Sequence, residues 1–117
     1  MAAVNLNAQV RRFNDQVSIL DIKGEVTGFA ENVLMDAYTQ ASNGQTRAIV
    51  LNFSELDYMN SSGIGLLVTL LIRTQRQKQN MYAYGLSDHY RQIFKLTRLN
   101  EAIQVFDNEQ DALASAQ

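Results

Sequence analysis

Two serines, Ser61 and Ser62, stand immediately before Gly63-Ile64-Gly65, where an apolar run gives way to an amphipathic segment. Hydroxyls at such a junction meet the free backbone N–H groups and partial positive charge of a helix N-terminus. That setting suits N-capping, anion binding or a phosphate carried on the serine itself. Glycine inside a helix costs about 1 kcal/mol relative to alanine, so Gly63 and Gly65 mark a place where a backbone or a partner comes close. On a helical wheel at about 100° per residue, Ile64, Leu67, Val68 and Leu71 form a core-facing stripe. The other side carries Ser62, Leu66, Thr69 and Arg73, with Leu70 at its margin, and reads as a contact surface with a modifiable hydroxyl at its upper end. A plainer reading of the same residues is that both serines only cap the helix and Leu66 packs beneath a loop.

Other chemistries are poorly supplied. A serine nucleophile needs a base, and a single His89 at a predicted helix start, with no Gly-x-Ser-x-Gly elbow, argues against an enzyme. Gly63-Ile64-Gly65 lacks the lysine of a phosphate loop, which argues against nucleotide binding there. With no cysteine and one histidine, neither a disulfide nor a metal cluster is expected, and no cofactor is implied. A net charge of -2 with scattered Arg and Lys leaves no basic patch for nucleic acid. No run approaches the roughly 18 apolar residues of a membrane span, and Met1 to Asn5 lacks the features of a signal peptide, so no membrane insertion and a cytoplasmic location are expected. The 117 residues suffice for one core, hence a single domain over residues 1–117.

The elements that must hold the serines follow from periodicity. Val4 to Arg12 alternates with Val4, Leu6, Ala8 and Val10 on one side, a half-buried edge strand. Phe13 to Gln16 supplies turn chemistry and Val17 to Ile22 a second strand, making a hairpin. Lys23 to Gly28 reads as a glycine-bounded loop, and Phe29 to Ala41 as an amphipathic helix with Phe29, Val33, Ala37 and Ala41 on its apolar face and Leu34 and Tyr38 beside them, stopped at Ser42-Asn43-Gly44. Arg47 to Asn52 is the continuous apolar run of a central parallel strand. The serine helix follows, ending in Arg73, Arg76 and Lys78. Met81 to Gly85 is a fourth strand, and Ser87 caps a helix from Asp88 to Thr97 with Ile93, Phe94 and Leu96 inward. Leu99, Ile103, Val105 and Phe106 lead through a short strand to a terminal helix from Asn108, with Ala112 and Leu113 inward and a tail from Ala114 to Gln117 that frays. The sum is an α/β fold: a mixed, mostly parallel sheet with an N-terminal antiparallel edge strand and about four helices. If Val17–Ile22 and Ala48–Leu51 are parallel neighbours, Glu25 and Thr27 come close to Asn60, Ser61 and Ser62.

Leu51-Asn52-Phe53, the Asp57-to-Gly65 block, the Gly24-Glu25-Val26 turn and Phe94-Lys95-Leu96-Thr97-Arg98-Leu99 together resemble the STAS domain, named for sulfate transporters and anti-sigma factor antagonists, in its stand-alone bacterial antagonist form. The likeness spans essentially the whole chain in order and spacing. It implies partner switching: the unmodified domain binds an anti-sigma factor that is also a serine kinase, phosphorylation releases it, and a PP2C-type phosphatase resets it. The acceptor implied is the hydroxyl before the first glycine, Ser62, with Ser61 as second choice, and the partner-binding set is Glu25, Thr27, Asn60, Ser61, Ser62, Gly63, Leu66, Thr69 and Arg73.

Two positions depart from the family pattern. Asn60 and Thr27 stand where the family has aspartates. An aspartate there would orient the hydroxyl and repel an attached phosphate, so its loss bears on both the kinase reaction and the release. Beside the phospho-switched antagonist, a STAS subunit that only binds, within a transporter or sensory complex, therefore stays open.

Overall fold

The computed structural model describes residues 5–117. Five strands, β1 (Leu6–Arg12), β2 (Val17–Val26), β3 (Ala48–Met59), β4 (Asn80–Tyr84) and β5 (Ile103–Phe106), form one sheet in sequence order. The β1–β2 pair is antiparallel and every other pair parallel. Four helices, α1 (Glu31–Ala41), α2 (Ser61–Arg76), α3 (Asp88–Leu96) and α4 (Glu109–Ala116), connect and cover the strands. This is the α/β architecture that the alternation of periods predicts. Val4 of the predicted first strand lies outside the described residues.

The main core lies between one sheet face and α1, α2 and α3, built on Leu20, Ile22, Leu34, Ile49, Leu51, Phe53, Leu67, Leu70 and Phe94. A smaller cluster of Val17, Ile19, Ala48, Val50, Tyr82 and Tyr84 on the other face is covered by Ala112 of α4. With helices on both faces, β3 begins as the buried run Ala48–Leu51.

Both central strands run further than expected. The predicted loop after Ile22 is still strand: β2 continues to Val26 and β3 to Met59, paired with each other, while the pairing of β3 with β4 stops at Asn52. Register shifts at Asp21/Lys23 and Gly24/Glu25 break the alternation that would have revealed this ribbon. Gly24 holds φ +104°, and a side chain there would collide with the Asn5 carbonyl oxygen.

Smaller differences have similar local causes. The helix expected from Phe29 opens with a 3-10 turn, Gly28–Ala30, capped by Thr27 Oγ1, which accepts from the Phe29 N–H. That turn shifts the phase, so Ala30, Leu34, Ala37, Tyr38 and Ala41 face the core and Phe29 is 66% exposed. In α3, Tyr90 and Phe94 take the inward positions four residues apart, leaving Leu96 at the helix end 74% exposed. The tail does not fray at Ala114: α4 extends to Ala116, capped by Asn108.

A polar network ties α4 to the sheet. Arg11 donates from Nε and Nη2 to the two oxygens of Asp21 at 2.5 and 2.8 Å, and from Nη2 to Glu109 at 2.6 Å. The Tyr84 hydroxyl donates to Glu109 at 3.0 Å and the Asn52 amide to Asp21 at 2.7 Å. Burial, helped by Glu109, pushes the Tyr84 hydroxyl up to about 12. The Arg11 guanidinium holds the Asp21 carboxyl below its ordinary value, against the opposing effect of burial. A lowered folded-state pKa stabilises above the unfolded value, about 3.9, and that stabilisation is lost as pH falls through the folded value. Asp21→Asn should therefore flatten the acid limb of stability against pH below about pH 4, read as denaturation midpoints at stepped pH.

Candidate functional site

The parallel pairing of β2 with β3 sets Glu25 opposite Tyr58 and Val26 opposite Met59, so the loops leaving both strands start side by side. The Asn60 N–H donates to Val26 O at 3.3 Å, joining the two exits. The Tyr90 hydroxyl, from α3, accepts the buried Met59 N–H at 2.8 Å and fixes the chain just before the helix.

Asn60, not a serine, caps α2: its Oδ1 accepts from the Gly63 N–H at 2.9 Å, with extended backbone at φ -98°, ψ -177°. Asparagine is as good an N-cap as aspartate, so the departure at this position keeps the cap and removes only the charge. Ser61 and Ser62 are the first two helical residues, both exposed, and no acidic residue occupies the first turn. The capping half of the plainer reading is thereby overturned, while its other half, a packed Leu66, holds at 8% exposure. Their hydroxyls stand at the positive end of a 16-residue helix.

The two glycines serve different ends. A Cβ on Gly63 would lie 2.0 Å from the Val26 carbonyl oxygen and 2.9 Å from Met59 Cγ, so the helix start is pressed onto the end of β2. Gly63→Ala should destabilise the fold by about 1–3 kcal/mol, visible as a lowered urea midpoint at unchanged m-value. Gly65 has open space where a side chain would be. Gly28 packs against Ser62: a Cβ there would meet Ser62 Cβ at 3.3 Å and Oγ at 3.7 Å.

The orientation of α2 differs from the wheel. Its buried residues are Gly63, Leu66, Leu67, Leu70 and Thr74, an arc turned by about a quarter of a revolution. Leu66 is 8% exposed and Leu70 fully buried, so neither belongs to an outer surface, while Val68 and Ile72, at 40% and 43%, do. The helix lies over the middle of the sheet, meeting β2, β3 and β4, with the 3-10 turn and α1 against one flank. Val68 and Ile72 are apolar yet outside, and Val68 stands on the predicted core stripe.

Glu25, Thr27, Asn60, Ser61, Ser62 and Gly63 thus gather where β2 and β3 end. Thr69 is exposed further along α2, and Arg73 turns toward α1, its guanidinium 5.0 Å over the Tyr38 ring. Leu66 lies beneath rather than on this surface. The outer strip of α2 comprises Ser61, Gly65, Val68, Thr69 and Ile72, with Ser62 at its edge against Gly28, the residue before the exposed Phe29. Val68 and Phe29, expected in the core, and Ile72, given no role, are exposed instead. The signal was present as more apolar residues than a one-sided helix can bury.

Among the described residues no group of His, Cys, Asp and Glu is placed to hold a metal, and no helix is long and apolar enough to cross a membrane.

A family model described as the STAS domain matches residues 8–112. The chain is 28% identical over 102 residues to an anti-sigma-B factor antagonist of Staphylococcus aureus, covering 87% of this chain and 94% of that one. Its fold is similar to the crystal structure of an anti-sigma factor antagonist from Mycobacterium paratuberculosis, with TM-score 0.80 and 19% identity over 99% of this chain and 98% of the other. It is also similar to the Bacillus cell fate determinant SpoIIAA in its phosphorylated form, with TM-score 0.68 and 19% identity over 95% and 100%.

Proposed function

We propose that this chain, which belongs to the STAS domain family, is an anti-sigma factor antagonist whose outer α2 strip binds an anti-sigma factor that is also a serine kinase. Phosphorylation of Ser62 ends that binding and a PP2C-type phosphatase restores it. The observation that carries this reading is the position of Ser62: exposed, relieved of capping by Asn60, and at the N-terminal end of the helix whose outer face carries the exposed Val68 and Ile72. A phosphate there brings a charge of about -1.5 to -2 to an apolar contact. The helix N-terminus, free of acidic residues, stabilises the modified form within the domain itself. Release therefore comes from the interface and leaves the fold intact. The names of the relatives support the partner class, and one structural neighbour is described in a phosphorylated form.

Gly65 offers a test that separates stability from binding. With open space around its Cβ position, Gly65→Ala should stabilise the helix by up to about 1 kcal/mol. A partner seated on the strip meets the added methyl directly, so affinity should fall while the melting temperature rises. Paired calorimetric titration and thermal melts read both, and an affinity equal to the parent's would remove Gly65 from the interface.

The neutral pair Asn60 and Thr27 favours a second reading, a STAS subunit that binds without being phosphorylated. Protein from its native source that is bound to its partner and never carries phosphate would support that reading.

A further inference from the structure

We propose that the cleft between the C-terminal ends of α1 and α2 binds a small oxyanion of the phosphate class. The cleft has a volume of about 460 Å³, with Tyr38, Thr39 and Ser42 on one wall and Arg73, Arg76 and Gln77 on the other. Among the described residues no Asp or Glu lines it. Arg73 and Arg76, like Arg12, Arg47, Lys78 and Lys95, have no ion pair among the described residues, but only these two share one cleft.

One of the two guanidinium groups is held in place. Tyr38 is almost fully buried, its hydroxyl donates to Gln79 Oε1 at 2.7 Å, and the Gln79 amide donates to Ser42 Oγ at 2.7 Å. Arg73 stacks over the ring so fixed, with its guanidinium carbon 5.0 Å from the centroid. Holding the group beforehand reduces the ordering cost of binding. Helix carbonyls account for a cation in the last turn of α2. Both arginines line the cleft and neither guanidinium group has a side-chain hydrogen bond among the described residues, and the planar fork matches the oxygens of a phosphate better than any other side chain does. A volume in this range suits a small ligand. The cleft is about 16 Å along α2 from Ser62, at roughly 1.5 Å per residue, so it does not depend on the phosphoacceptor reading.

The test is an amide and guanidinium NMR titration of the full chain at constant ionic strength, with inorganic phosphate as probe and succinate and chloride as matched arms. Saturable shifts at Ser42, Arg73 and Arg76 with phosphate, absent with chloride, are expected. Arg76→Gln, an exposed substitution, should weaken binding about tenfold or more, while Arg12→Gln on β1 leaves it unchanged. An otherwise unaltered spectrum of Arg76→Gln confirms that its fold is retained. Non-saturating shifts, shifts reproduced by chloride, or full affinity in Arg76→Gln would overturn the site. Succinate binding as tightly as phosphate would overturn the phosphate assignment.

Discussion

Ser62→Asp is expected to lower affinity for the anti-sigma partner by about thirtyfold or more, whereas Ser62→Ala should stay within about threefold of the parent. The hydroxyl is exposed and engaged in no cap, so its removal costs the fold little. A carboxylate at the same place adds a charge that must be desolvated when the partner closes over this end of α2. A truncated or mismatched buried charge pair costs about 2–5 kcal/mol at an interface, which sets the lower figure. In the free domain the helix dipole favours a carboxylate at this first-turn position, so the variant should melt at or slightly above the parent. Calorimetric titration of the three proteins against one purified partner reads the effect, and equal affinities for the aspartate variant and the parent would reject the switch.

The second large effect separates the underside of α2 from its outer face. Leu66→Asp should unfold the domain or lower its melting temperature by tens of degrees, because an unpaired charge buried at a residue 8% exposed removes several kcal/mol from a stability of about 5–15. Ile72→Asp, at 43% exposed, should melt within about two degrees of the parent and yet lose partner binding. A helical wheel read from the sequence assigns the outer role to Leu66 instead. Thermal melts of the two variants decide between these orientations, and intact folding of Leu66→Asp would restore the wheel.

Much of the fold was legible because each strand and helix has its own period. Leu6, Ala8 and Val10 alternate on β1, Ala48–Leu51 runs apolar through the sheet centre, and Ser87 and Asn108 cap the helices expected after them. Legibility failed where long-range packing overrides local pattern. The β2–β3 ribbon beyond Ile22 is disguised by two register shifts and by Gly24, whose conformation answers to the Asn5 carbonyl. Phe29 faces outward because a 3-10 turn precedes α1, and no wheel of period 3.6 anticipates that phase change.

At the candidate site the residue types were readable and the orientation was not. Gly63 signalled a close approach, and the approaching group is the Val26 carbonyl. Asn60 was noted as a missing charge when its main physical role is the cap. Val68, placed on the core stripe by the wheel, is exposed beside Ile72, since hydrophobicity alone does not distinguish a core contact from a partner contact.

The proposed switch rests on one hydroxyl, that of Ser62, receiving the phosphate that ends partner binding. The decisive experiment is incubation of the parent and of Ser62→Ala with the partner kinase and ATP, followed by phosphopeptide mapping and re-titration of the product. Expected are one phosphate per chain on Ser62, none on Ser62→Ala, and a phosphorylated product that no longer binds. Phosphate confined to Ser61 or Thr27, stoichiometric phosphorylation of Ser62→Ala, or undiminished binding by the Ser62-phosphorylated chain would contradict the switch.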